Sequence, residues 1–223
     1  MTKVIIALPG RTFSGSFLMN WTQTIMSLAK SGYQITVSNE FSSFVPFSRM
    51  KTLGLDVLRG SEQKPFGGTL EYDVWLTIDS DIVFTPEQVI ELIEDTKKYP
   101  VVSGMYRMQD MKHYACVKEW DTDYFKQTGT FQFMKVGELD VEEKYIPVSY
   151  NGMGFFACRK GVIETMQYPY FSYPLIEIEG EDGKVLRDMC SEDVAFCKNL
   201  SDAGFDIMVN TGLLVGHEKT LVL

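Results

Sequence analysis

Two aspartates one residue apart, Asp79 and Asp81, interrupt the apolar run that extends from Val74 to Phe84 (Val-Trp-Leu-Thr-Ile-Asp-Ser-Asp-Ile-Val-Phe). Carboxylates this close repel each other and are costly to desolvate, so a fold that keeps them at the end of a hydrophobic segment must compensate them. A divalent cation such as Mg²⁺ or Mn²⁺ does so: it takes oxygen ligands and leaves positions open for phosphate oxygens. A bare Asp-x-Asp also fits a strand end at which both side chains simply meet solvent. Three other local features carry chemistry. Ser191-Glu192-Asp193 puts two acids where a helix would begin, either to complement its dipole or to accept a proton. Gly216-His217-Glu218-Lys219 sets an imidazole beside an ammonium. Tyr150-Asn151-Gly152-Met153-Gly154 supplies glycines that allow close backbone approach. His113 has no such company and reads as structural.

The elements that must position these residues follow from patterning. Val4 to Leu8 is a short apolar, β-branched run stopped by Pro9-Gly10, a buried first strand followed by a loop. A helix is predicted from Ser14 to Ala29, closed by Ser31-Gly32, and a second strand from Tyr33 to Ser38. Phe47-Ser-Arg49-Met-Lys starts another helix. Tyr72 to Ile78 is the strand that delivers the aspartates. Thr85-Pro86-Glu87 has the chemistry of a helix start, and that helix is expected to reach Lys98. Val101 to Tyr106 is the next strand. This alternation predicts an α/β domain with a central, mostly parallel sheet flanked by helices and a small antiparallel part. Ligands of such sheets bind beyond the carboxyl ends of the strands, so Pro9-Gly10-Arg11 and Asp79-Ser80-Asp81 are expected to line one crevice. From 107 to 150 the pattern loosens, with hairpin-like segments near Gly129 and Gly137. Residues 168–187 read as an insertion, either a surface hairpin or a lid, with a turn at 180–184. A helix from Glu192 to Ala203, capped by Ser191 and ended at Gly204, precedes a strand at Asp206 to Val209 and an apolar run from Leu213 to His217.

At 223 residues the chain suits one sizeable domain, able to bury a core without disulfide staples. A formal charge of −9 argues against nucleic acid or an anionic membrane as the main partner. It leaves an anionic nucleotide open, because a metal ion and a few basic side chains reverse the sign within one cleft. Cys116, Cys158, Cys190 and Cys197 form no Cys-x-x-Cys pair, so they read as buried reduced thiols rather than a zinc site. No stretch reaches the roughly 20 apolar residues of a membrane span, and no signal peptide opens the chain. The expectation is a soluble cytoplasmic protein.

Taken together and in this order, the four features resemble nucleotide-sugar-dependent glycosyltransferases of the GT-A fold, over nearly the whole chain. The resemblance implies a single catalytic domain over 1–223, with 1–106 binding the nucleotide and 107–223 the acceptor. It implies a divalent metal, Mn²⁺ or Mg²⁺, held by Asp79, Asp81 and His217. Ser80 would lie near the ribose, Pro9, Gly10 and Arg11 would border the nucleoside, and Arg49 would reach the base or the diphosphate. Lys219 would contact the phosphates, and Asn151 and Gly152 would sit by the donor sugar or acceptor. A UDP-sugar is the favoured donor and a carbohydrate or glycoprotein the acceptor. Without a membrane anchor, such an enzyme suits a bacterium, a phage or a large DNA virus acting in its host's cytoplasm.

The chemistry implied is coherent. Breaking the sugar–phosphate bond builds negative charge on the departing diphosphate, which a metal and a lysine stabilise. The acceptor hydroxyl needs a proton acceptor, for which Glu192 and Asp193 are the candidates. The acid pair suits an inverting enzyme with Asp193 as base. The late run, with Gly204-Phe205 between acidic helix start and histidine, also resembles retaining mannosyltransferases of the yeast mannan polymerase type, and retention is favoured. Two alternatives stand beside this. Asp79-Ser-Asp81-Ile-Val83 fits the signature of haloacid-dehalogenase-like phosphatases, with Asp79 as nucleophile, although that motif normally follows the first strand. A non-catalytic nucleotide-sugar-binding module would keep the metal site and need neither Glu192 nor Asp193.

Overall fold

The computed structural model describes residues 1–139, 143–180 and 183–220. Strand β1 (Lys3–Pro9) leads through helix α1 (Gly15–Lys30) to β2 (Gln34–Glu40) and α2 (Val45–Thr52). Then come β3 (Val74–Ile78), the short β4 (Ile82–Val83), α3 (Pro86–Asp95) and β5 (Val101–Met105). The second half adds β6 (Cys116–Val117), α4 (Thr122–Thr128), β7 (Tyr145–Val148), β8 (Tyr150–Asn151), β9 (Phe155–Arg159) and α5 (Val162–Thr165). The chain ends with β10 (Leu175–Glu179), β11 (Val185–Met189), α6 (Glu192–Asp202), β12 (Ile207–Leu214) and β13 (Gly216–His217).

Seven strands form the central sheet in the order β2-β1-β3-β9-β5-β12-β7. β1, β2, β3, β5 and β12 run one way, whereas β9 and β7 run against their neighbours. Both faces of the sheet are covered at its centre, which is why β1, β3 and β5 are buried along their length, whereas the edge strand β2 is largely exposed. Ile5 and Ala7 of β1 point into one core with Trp75, Phe156 and Phe196; Val4, Ile6 and Leu8 point into the other with Phe17, Leu76 and Leu92. β9, from the second half of the sequence, lies between β3 and β5 of the first, so both halves share one sheet. Among the described residues no helix is long and apolar enough to cross a membrane. All four cysteines are buried and free, and burial pushes their thiols up.

Several local expectations need correction. Gly129 caps α4 in the left-handed conformation (φ 70°) and is no hairpin turn. α3 stops at Asp95, whose buried carboxylate accepts from Asn210 (2.6 Å) and Tyr145 (2.8 Å). That polar pairing also explains β12: Asn210 looks like a break in the apolar pattern, yet its amide is satisfied, and the strand runs on to Leu214. Residues 168–187 do contain a hairpin, β10 against β11, although Glu181 and Asp182 of the expected turn lie outside the described residues.

Candidate functional site

β1 and β3 are parallel neighbours, so the loops after them leave the sheet side by side. They meet closely: a side chain on Gly10 would place its Cβ 2.8 Å from Ser80 Cβ, so only a glycine lets the first loop lie against the Asp-Ser-Asp turn. The turn is set by the Asp79 N–H donating to the Gly154 carbonyl (2.9 Å) and the Ile82 N–H donating back to the Asp79 carbonyl (3.1 Å). The two loops expected to line one crevice therefore lie in contact. Arg11 is exposed, with its guanidinium 5.7 Å from the Phe41 ring centre. Phe44 and Phe47, also exposed, pack edge to face on each other, and Phe44 does so on Tyr173, both at 5.0 Å.

Asp81 and His217 are brought together by a two-residue ladder. β13 pairs antiparallel with β4, His217 opposite Ile82, and the Glu218 N–H donates to the Asp81 carbonyl (2.7 Å). The imidazole Nε2 then lies 3.1 Å from Asp81 Oδ2, which also accepts from Lys219 Nζ (2.8 Å). On the other side of the ring, Nδ1 faces the Arg107 carbonyl at 2.9 Å. Both ring nitrogens therefore face acceptors, an arrangement that favours the protonated ring. The Asp81 carboxylate accordingly raises the His217 pKa. Burial alone would raise the Asp81 carboxyl, but hydrogen bonds from His217 and Lys219 outweigh it and bring it to about 2. Tyr106 backs the imidazole edge to face at 4.9 Å.

Asp79 belongs to a different cluster. Arg49 of α2 is buried, 4% exposed, and donates to both Asp79 oxygens (3.0 and 3.1 Å). Its Nε donates to Glu192 (3.2 Å), and its Nη2 lies 3.2 Å from Asp193 Oδ1 in an ion pair too poorly aligned for a hydrogen bond. One guanidinium thus faces three carboxylates. Burial would lower the Arg49 pKa, but the three acids drive it well above its ordinary value. Burial raises Asp79, against the pull of Arg49. It pushes Asp193 up to about 6, with Arg49 opposing and Glu192 adding to the rise. The two acids stand where they do because α6 is anchored just behind them. Phe196, fully buried, stacks on Phe171 at 4.6 Å and packs against Trp75 and Phe156, a burial worth about 1.5–3 kcal/mol. Ser191 caps the helix and the Met153 N–H donates to Asp193 Oδ2 (3.2 Å).

The sequence expectations therefore divide. The structure brings Gly10 to Ser80, and brings His217 and Lys219 to Asp81. It does not bring Asp79 into that second group, since both its oxygens are engaged by Arg49. Among the described residues no group of three or more His, Cys, Asp or Glu side chains gathers as a metal cluster. Arg49 is enclosed by carboxylates. Asn151 is buried and its amide is satisfied within the frame by Ser103 Oγ (2.6 Å) and the Gly104 carbonyl (2.9 Å). Gly152 makes room for Tyr106, whose hydroxyl oxygen would lie 2.1 Å from an added Cβ. The buttress Tyr106 and the aromatic rim of Phe44, Phe47 and Tyr173 were not foreseen; the spacing Phe44-x-x-Phe47 before Arg49 was the available signal. A cavity of about 1000 Å³, lined by Trp120, Phe131 and Phe133 among others, includes none of Asp79, Asp81, Glu192, Asp193 and His217 in its lining. Trp120, 40% exposed, lies on its wall with its ring 6.2 Å from that of Tyr150.

No family model and no curated protein matches the chain. Solved structures do. The crystal structure of A197 from STIV is 16% identical with a TM-score of 0.56, covering 99% of this chain and 87% of that one. A mutant of Drosophila β-1,4-galactosyltransferase 7, in complex with manganese, UDP-Gal and xylobiose, is 12% identical with a TM-score of 0.51, covering 99% of this chain and 72% of that one. At these identities the likeness is one of fold: the chain has the α/β architecture of GT-A glycosyltransferases.

Proposed function

We propose that the chain is a metal-dependent glycosyltransferase that moves a sugar from a nucleotide donor, a UDP-sugar by preference, to a hydroxyl of a glycan acceptor. The observation that carries this reading is the pairing of Asp81 with His217 beside Lys219, at the mouth of the crevice formed by the first and third strands. The donor set fits a divalent cation: His217 has Nδ1 fixed on a backbone carbonyl, which orients Nε2 toward Asp81, and a metal would replace the proton between them. Asp81 and His217 would hold Mn²⁺ or Mg²⁺, which when bound supplies positive charge to a diphosphate leaving group. Asp79 is assigned a different part, as the carboxylate that ties this turn to Arg49.

The chain's own residues then divide the work. Pro9, Gly10 and Arg11 border the nucleoside, and the exposed rings of Phe41, Phe44 and Phe47 offer a base flat apolar surfaces. Lys219 stands where it can meet phosphate oxygens. An acceptor hydroxyl, approaching past Trp120, attacks the anomeric carbon as the bond to the diphosphate breaks and the electron pair leaves with phosphate. Its proton passes to Asp193. Glu192 is less suited, because it is engaged by Arg49 Nε and by the Tyr173 phenol. Asp193 Oδ1 is buried beside Arg49 without a well-aligned hydrogen bond, and burial raises its carboxyl to about 6, suited to a base at neutral pH once an acceptor reaches it. A dedicated base supports inversion, in place of the retention that the order of the late motifs favours.

The experiment is turnover. UDP release from UDP-hexoses in Mn²⁺, across a panel of neutral oligosaccharides, is expected to depend on the acceptor. Asp81→Ala is expected to lower it by about 10²-fold or more, the scale on which lost charge stabilisation acts. Release that is indifferent to Mn²⁺ and to Asp81 would exclude the reading.

A further inference from the structure

The segment that carries His217 and Lys219 is tied down by the residue between them. In the extended run after β13, His217 and Lys219 both turn to Asp81, and Glu218 therefore turns the opposite way. There its carboxylate accepts from the Ser16 hydroxyl, 202 positions away in sequence, and Ser16 Oγ is itself 2.9 Å from Ser14 Oγ. Ser14 is the N-cap of α1, and its side chain accepts from the Phe17 N–H. The first turn of α1 contains no acid of its own, so Glu218 is the carboxylate that faces this helix start. α1 is a firm support: Phe17 and Leu28 are buried in the core, and Phe17 packs edge to face on Phe84 at 5.3 Å.

We infer that Glu218 is a positioning residue: by joining the C-terminal segment to the start of α1 it holds His217 and Lys219 over Asp81. The inference rests on the transferase reading for its consequence, since the metal and diphosphate are what those two side chains would serve. The contact itself does not depend on that reading. The β4–β13 ladder is only two residues long, and such a short ladder is weak by itself. Glu218 supplies a further attachment of the segment, and removing it leaves His217 held by this ladder, Asp81, the Arg107 carbonyl and the Tyr106 ring.

Two readouts on Glu218→Ala and Ser16→Ala separate the two propositions. The first is amide hydrogen exchange over residues 215–219 in the protein without ligands, which both variants are expected to accelerate while the central strands keep wild-type protection. The second is calorimetric titration with Mn²⁺ and UDP. Both variants are expected to weaken Mn²⁺-dependent binding by about 10- to 100-fold, as loss of an outer partner does at metal sites. Glu218 also accepts from Ser14, so Ser16→Ala should have the smaller effect and the double variant should be little worse than Glu218→Ala. Glu218→Gln, which can still accept from a hydroxyl, should recover part of the loss. Unchanged exchange in both single variants overturns the inference. Faster exchange in a protein that binds neither Mn²⁺ nor UDP supports the tether and removes the transferase reading.

Discussion

Asp193→Asn is expected to lower sugar transfer by about 10²- to 10⁴-fold with nucleotide affinity unchanged, the range attributed to a single general base. The side chain touches Arg49 and the Met153 N–H but none of the residues assigned to the nucleotide. The substitution also removes one of three negative charges that share one guanidinium, so folding should not suffer. The pH dependence gives an independent sign. The folded pKa of about 6 lies above the ordinary 3.8, so the folded chain binds a proton more readily than the unfolded one. This group's contribution to stability is therefore fully present below pH 3.8 and is lost as pH rises through about 6. Turnover has the opposite sign, since the base must be ionised, and its acidic limb should fall near pH 6. Asp193→Asn is expected to flatten the stability change across that window and to be at least as stable as wild type at neutral pH. Wild-type turnover in the variant would leave Asp193 a helix-dipole partner and favour a binding module or a retaining route without a protein base.

Arg49→Met is expected to cost about 3–5 kcal/mol of stability at neutral pH, the usual result of removing one partner from a buried ion pair. The arginine is almost fully enclosed, and its loss leaves Asp79, Glu192 and Asp193 facing one another. Burial and mutual repulsion then favour protonation, so the deficit should shrink as pH falls toward 5. Arg49→Lys is expected to fall between the two: it restores the charge but not the fork that donates to both Asp79 oxygens. Urea unfolding of the three proteins at two pH values measures this. Equal stability at neutral pH would mean that the carboxylates are compensated by something other than Arg49.

The two aspartates, the acid pair and the late histidine were legible because each lies at an element boundary that local chemistry marks. Thr85-Pro86 fixes where β4 must end, and Ser191 fixes where α6 begins. The mostly parallel sheet followed from the alternation of strands and helices over the first hundred residues. What remained hidden depends on contacts remote in sequence. Asp79 and Asp81 look equivalent in the sequence, yet one turns to Arg49, 30 residues earlier, and the other to His217, 136 residues later. Asn151 looked like a ligand because a polar residue among glycines suggests a binding loop; its amide instead closes the hydrogen bonding of Ser103 and Gly104. In each case a buried polar group reads as function until its partner is known, and no local pattern identifies that partner.

The central claim is that Asp81 and His217 form a metal-dependent nucleotide site. Calorimetric titration with UDP, GDP and CMP, each with and without Mn²⁺, on wild type and Asp81→Ala tests it most directly. The account predicts binding of UDP with a Kd of about 1 μM to 1 mM, the range of ordinary enzyme substrates, lost on omitting Mn²⁺ or substituting Asp81. No binding of any of the three by the folded wild-type protein, or UDP binding that persists without Mn²⁺ and in Asp81→Ala, would contradict it.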